Sequence, residues 1–215
     1  MAQYARRGFF EMATLCGINL ALMALAIGLV RKEPRAPLTL RLLCLFVGLV
    51  TLFMVAAASA KMGMYIGSYG LTRLRVLTEI IILFLGVSTA LVCVWLFCPR
   101  LPYMKAVLVT ALVMGAVVSW VDVDTVVAHY NVRAYQSGRL ETVDVAYLST
   151  LSDGAVPYLV ELAEDPDPQV RNNARDWLSW RDSRVEDLRG WNYTTAQASK
   201  ILKQFPVQGP GLDSQ

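Results

Sequence analysis

From Leu42 to Ala60 the chain carries no charged residue, and neither does the stretch from Ile80 to Pro99. The hydrocarbon core of a bilayer is about 30 Å thick and an α-helix rises about 1.5 Å per residue, so about 20 apolar residues cross it. Ala13 to Val30 is a third uncharged run, extendable back to Phe9 if Glu11 is tolerated. Ala106 to Val121 is a fourth, lengthened by Leu101 to Met104 with Lys105 snorkelling to the interface. One such run would read equally well as a buried core helix. Four of them before Asp122, joined by short basic loops, read as membrane spans. They are expected at about 9–30, 42–60, 71–99 and 102–121.

Composition points the same way. Hydrophobic residues make up 55% of the 215 and charged residues 17%, against about 25% charged in an ordinary soluble domain. A disordered chain is excluded, and a purely soluble one is disfavoured. The net charge of +3 divides into +8 up to Val121 and −5 beyond it. A basic, apolar membrane domain (1–121) is therefore expected to carry an acidic, water-exposed helical domain (122–205). The Gly/Pro/polar end, 206–215, is expected to be disordered. Arg6 and Arg7 resemble a charged leader, but the following run is too long for a signal peptide. It is followed by Arg31-Lys32-Glu33-Pro34-Arg35 rather than small residues, so it is expected to stay in the mature protein. Basic residues divide almost evenly between the two sides of a four-span topology, which leaves the side of the tail open.

The segment from Ser59 to Glu79 is less uniformly apolar. Ser59, Gly63 and Gly67 recur every four residues, a groove of the kind that lets membrane helices approach closely. Ser68, Thr72, Arg75 and Glu79 form a polar stripe at helical spacing. Gly70 is placed to break the helix, and Tyr65 and Tyr69 suit the headgroup level. This is either an interfacial hairpin with an Arg75–Glu79 ion pair or a polar pocket holding a lipid phosphate or carboxylate on Arg73 or Arg75. Arg75 shares a face with Thr72 and Glu79, whereas Arg73 falls about 160° away, so Arg75 is expected to matter more. Glu11 is a similar intramembrane carboxylate, four residues after Arg7. The pocket candidates are Arg7, Glu11, Tyr65, Tyr69, Thr72, Arg73, Arg75 and Glu79.

Four blocks carry a family likeness. They are Tyr4-Ala5-Arg6-Arg7-Gly8-Phe9-Phe10-Glu11, Ser59-Ala60-Lys61 before Tyr65, Tyr69-Gly70-Leu71-Thr72-Arg73-Leu74-Arg75, and Ala128-His129-Tyr130-Asn131-Val132. In this order they resemble the bacterial multi-pass membrane family named domain of unknown function 4173, over roughly residues 4–160. The Tyr-Gly-Leu-Thr-x-x-Arg core is also similar to a related family, number 4153. The resemblance implies a membrane topology, a bacterial plasma-membrane location, and a chain that is a short relative or a C-terminal portion. It implies no activity and no catalytic residue.

In the tail, Val123, Val126, Val127, Tyr130 and Ala134 make an apolar helical face, and Asp122, Thr125, His129 and Arg133 the polar one. His129 is the lone histidine and is expected at the surface. A short helix is expected over Val143 to Leu151 after a break at Ser137-Gly138. Asp167 and Pro168 form a good N-cap and first helical residue. The layout around Asp165-Pro166-Asp167-Pro168 is similar to one HEAT-type hairpin, although a single copy makes no solenoid. Trp177, Trp180 and Trp191, with Tyr193, supply the domain core, a partner surface or a membrane-resting face.

Cys16, Cys44, Cys93 and Cys98 lie in or at the end of apolar runs and read as packing residues, with no metal-ligand spacing. No catalytic or cofactor motif is present, and the acidic tail argues against nucleic acid. The expected fold is all-α: four transmembrane helices, then a small, mostly helical C-terminal domain containing a HEAT-like hairpin. The expected partners are the lipid bilayer and either a protein or a second copy of the chain. The leading functional expectation is a membrane-anchored interaction or regulatory module. The alternative is a membrane-embedded enzyme or transporter component acting on an anionic lipid-linked substrate.

Overall fold

A computed structural model describes residue 12 and residues 14–26, 38–98, 100–182, 198, 200 and 201. Every regular element among the described residues is helical. In chain order these are α1 (Thr14–Ala26), α2 (Leu38–Tyr69), α3 (Arg73–Phe97), α4 (Tyr103–Trp120), α5 (Val123–Gln136), α6 (Val145–Ser149), a 3-10 turn (Asp153–Ala155), α7 (Val156–Leu162) and α8 (Pro168–Asp182).

The breaks follow from local chemistry. α2 stops at Gly70, whose φ of 75° suits a residue without a Cβ. α3 stops just before Pro99, and α4 restarts just after Pro102, whose carbonyl accepts from Ala106 N at 3.0 Å. α5 opens on Asp122, whose carboxylate accepts from the N–H groups of Asp124 and Thr125, and closes at Ser137 before Gly138, φ 70°. α8 opens as expected: Pro168 is its first residue and Asp167 Oδ1 accepts from Gln169 N at 2.8 Å.

The chain divides into two compact units, Met1–Ile66 with Leu74–Trp120, and Gly67–Arg73 with Val121–Gln215. In the first unit, α2, α3 and α4 are long and apolar enough to cross a membrane. Their 32, 25 and 18 residues correspond to about 48, 37 and 27 Å of helix. α1 is shorter. The flanks of the run expected at 9–30 lie largely outside the described residues, so a fourth span is not shown by them.

Two apolar clusters hold α1, α2 and α3 together. One is built on Cys16, Val55, Ala58, Met62 and Ile82, the other on Met23, Cys44, Val92 and Leu96. The helices approach most closely at Gly48 and Gly86. A Cβ on Gly48 would meet Cys93 Sγ and Met23 Cε, and one on Gly86 would lie 3.0 Å from Val55 Cγ1. At the groove expected at Ser59, Gly63 and Gly67, no described atom lies within 4 Å of a Cβ built on Gly63 or Gly67. Leu42, Phe46, Leu49 and Phe53 on α2 and Leu108, Leu112 and Val117 on α4 are exposed, as expected of lipid-facing side chains.

In the second unit, Val127, Val132, Leu148, Val156, Leu159, Leu162, Ala174 and Leu178 are buried together among the short helices. α7 and α8 pack on one another. Arg175 Nε donates to Ala163 O at 2.9 Å and Arg171 Nη1 to Asp165 O at 3.0 Å, closing the turn between them. The buried face of α5 differs from the apolar face read in the sequence. It comprises Asp124, Val127, Ala128, Asn131, Val132 and Ala134, whereas Val126 is exposed. Two polar residues displace Val123 and Val126 because each has a specific partner.

Candidate functional site

Those partners lie in the segment that joins α2 to α3. Gly67–Arg73 folds with the C-terminal unit rather than with the helices it connects. The Asn131 side chain engages both backbone groups of Leu71: Leu71 N donates to Oδ1 at 2.6 Å, and Nδ2 donates to Leu71 O at 2.8 Å. An amide is the one side chain that offers a donor and an acceptor in this fixed arrangement. Gly70 lies beneath it, and a Cβ there would come within 2.6 Å of Asn131 Oδ1.

Seven residues earlier, two turns along the same face of α5, is Asp124. Its carboxylate accepts from Nε and Nη2 of Arg73 as a bidentate ion pair, and Oδ2 also accepts from Ser152 N at 2.9 Å. Arg73 N donates to Tyr147 OH at 3.0 Å. Residues from the α2–α3 segment, α5, α6 and the loop before the 3-10 turn therefore meet around the Arg73–Asp124 pair. Asp122 fixes the start of α5, accepting from Asp124 N at 3.1 Å and from Thr125 Oγ1 at 2.9 Å. Gly154 in the 3-10 turn approaches so closely that a Cβ there would strike Thr125 Oγ1 and the Asp122 carboxylate.

Burial alone would raise the Asp124 carboxyl, but the Arg73 guanidinium and the Ser152 N–H outweigh it and hold it below the usual carboxylate range. The Asp124 side chain is 10% exposed and that of Arg73 47%. Charge is thus neutralised inside the site, and the donors and acceptors satisfy one another. Such an arrangement fastens one segment to another. Among the described residues no group of three or more His, Cys, Asp or Glu is placed to hold a metal ion.

The residues read from sequence take varied places. Arg7, Glu11 and Trp191 lie outside the described residues. Tyr65 is half-buried on α2, with the Arg75 guanidinium 4.4 Å above its ring centroid. Glu79 on α3 has one buried carboxylate oxygen, Oε2, without a hydrogen-bond partner among the described residues. Tyr69 is exposed and Thr72 half-buried in the segment before Arg73. Asp122 is the α5 N-cap. His129 is exposed, edge-on to Tyr158 at 5.6 Å between centroids. Arg133 pairs with Glu161 at 3.0 Å. Trp177 is half-buried on α8, the helix that also carries Trp180.

Asp124, Asn131, Tyr147 and Ser152 were not among the candidate residues. Asp124 and Asn131 did leave a signal, two polar residues seven apart within an otherwise apolar helix face, but their partners lie 51 and 60 residues away. Two of the blocks that carried the family likeness, Tyr69 to Arg75 and Ala128 to Val132, meet here through Leu71 and Asn131. No curated protein and no solved structure matches the chain. Residues 1–162, a span that includes both blocks and the site they form, match the model of the family described as a domain of unknown function (DUF4153), and the chain belongs to that family.

Proposed function

We propose that the chain is a membrane-anchored protein-interaction or regulatory module, whose apolar helices hold the C-terminal helical unit at the surface of a bacterial plasma membrane. The observation that carries this reading is the fastening of the α2–α3 segment to the C-terminal unit through Asn131 and Asp124. Chain connectivity supports a multi-pass arrangement. Arg73 and Asp124 are ion-paired, so they lie on one side of a membrane, and the number of crossings between them must be even. α3 and α4 are the two apolar helices in that interval. The apolar run expected at about 9–30 supplies the fourth span.

The HEAT-like reading of α7 and α8, and the kinship with the 4173 family, belong to the same proposal. So does a partner surface bearing Trp177, Trp180 and Trp191. A partner protein or a second copy of the chain engages the C-terminal unit. The alternative, an enzyme or transporter component for an anionic lipid-linked substrate, loses one of its cations to Asp124, since Arg73 already has a bidentate carboxylate. Crosslinking in native membranes followed by affinity capture tests the proposal. A discrete partner or second copy, crosslinked through the C-terminal unit, supports it; a monomer under every condition counts heavily against it. Saturable binding of anionic lipid that Arg75→Gln abolishes would favour the alternative.

A further inference from the structure

Hydroxyl side chains in the apolar helices mostly turn back on their own backbone. Thr51 Oγ1 donates to Val47 O and Thr89 Oγ1 to Leu85 O, both at 2.8 Å. Thr110 and Ser119 do the same to Ala106 and Gly115. Each thereby satisfies its donor four residues back, the usual outlet for a hydroxyl in an apolar medium. Ser88 does not. It is 1% exposed, and its Oγ is buried without a hydrogen-bond partner among the described residues.

The surroundings of Ser88 are polar in a specific way. Gly48, Met23 and Cys93 share one level of the α1–α2–α3 bundle. About one helical turn further on, in the same direction along all three helices, come Asn19 on α1, Thr51 on α2, and Ser88 with Thr89 on α3. Asn19 Nδ2 donates to Thr51 Oγ1 at 3.1 Å, joining two of the helices directly. The Val55–Gly86 approach and the cluster around Cys16 lie beyond this layer on one side, and the cluster around Met23 on the other. A polar layer is thus enclosed between two apolar ones, near the middle of α3, where lipid can satisfy nothing.

We propose that this layer binds a buried water molecule that bridges Ser88 Oγ to the Asn19 amide oxygen, completing the Asn19–Thr51 bond into a three-helix hub. The ligand is neutral, because the layer contains no carboxylate and a charge at mid-bilayer depth is costly. Its carbonyls are also committed, since the helices are unbroken there. The ligand is small, because Thr51, Ser88 and Thr89 are 0–1% exposed, Asn19 is half-buried, and apolar side chains close both ends of the layer. To bridge a serine hydroxyl and an amide oxygen it must donate to one and exchange a hydrogen bond with the other. Water meets all three conditions, and buried waters typically sit among polar groups with few other outlets.

The test is thermal stability of the full chain in nanodiscs, with two single variants and one double. Ser88→Ala removes the hydroxyl and Ser88→Cys replaces it by a thiol of similar volume that bonds water poorly. The expected result is that both lower Tm, by on the order of 3 °C or more, and that Ser88→Ala lowers it no further in an Asn19→Leu background. If Ser88→Ala leaves Tm unchanged or raises it, the hydroxyl has no ligand and the proposal falls. A loss with Ser88→Ala that Ser88→Cys does not share makes the effect one of packing, which also overturns it. Full additivity with Asn19→Leu overturns the bridge.

Discussion

Asn131 is the residue on which the joint turns, because one side chain satisfies both the N–H and the C=O of Leu71. Truncation to alanine leaves two backbone groups to find new partners, at about 1–3 kcal/mol for each that stays buried and unsatisfied. Asn131→Ala should therefore destabilise the protein by about 2–4 kcal/mol, and Asn131→Asp, which sets a buried carboxylate oxygen against the Leu71 carbonyl, by at least as much at neutral pH; denaturant unfolding in detergent measures both. Gly70→Ala should be costly as well, since it adds a Cβ at a positive φ and against Asn131 Oδ1. Asp124 adds a pH dependence. Its folded pKa is depressed, so its contribution is fully present above the unfolded value of about 3.9 and is lost as pH falls through the lower folded value. Because Arg73 is half exposed, screening keeps the ion pair itself near the surface value of at most about 1 kcal/mol. Tm profiles of the wild type and Asp124→Asn should run parallel from neutral pH down to about 4 and converge below it. Parallel curves throughout would show that the carboxylate does not sense the pair.

At the scale of elements, the signals that survived into the structure are local ones. Gly70, Asp167-Pro168 and Ser137-Gly138 punctuate helices where the sequence indicates, because capping and positive φ are decided within a turn. The three long apolar helices were legible because each contains an apolar run of about the length needed to cross a bilayer. The rotation of α5 was not, since periodicity assigns Val123 and Val126 to the apolar face and cannot see the partners of Asp124 and Asn131, 51 and 60 residues away. The partner of Arg73 was hidden for the same reason: helical arithmetic separates Arg73 from the Arg75 stripe, and its carboxylate lies on another helix. Among the described residues the close contacts are made at Gly48 and Gly86 rather than at Gly63 and Gly67. The N-cap of α5 offers a test at this scale. Asp122 accepts from two N–H groups and the Thr125 hydroxyl, so Asp122→Ala should cost about 1–2 kcal/mol. Gly154→Ala should act in the same place by collision with Asp122 and Thr125. If Gly154→Ala is silent while Asp122→Ala is not, the 3-10 turn is free to move away from α5.

For the whole molecule, the Arg73–Asp124 pair turns a local contact into a statement about topology. Residues that touch are on the same side of a bilayer, so α3 and α4 must both cross or neither does. α4 is the weaker candidate by length, with 18 residues and no buried side chain of its own, and the pair ties its crossing to that of α3. If both cross, as proposed, the loop between the two helices is expected on the other side of the membrane from Asp124. A native probe sits in that loop: Cys98 is exposed, whereas Cys16 and Cys44 are buried and Cys93 partly so. Glu164 is exposed in the C-terminal unit, and Glu164→Cys supplies the second probe. In sealed vesicles of defined orientation, a membrane-impermeant maleimide added outside should label one of the two positions and not the other, and inverting the vesicles should exchange them. Labelling of both from the same face would mean that neither helix, or only one, crosses. The second case would break the Arg73–Asp124 pair, and the proposed anchoring of the C-terminal unit would have to be abandoned with it.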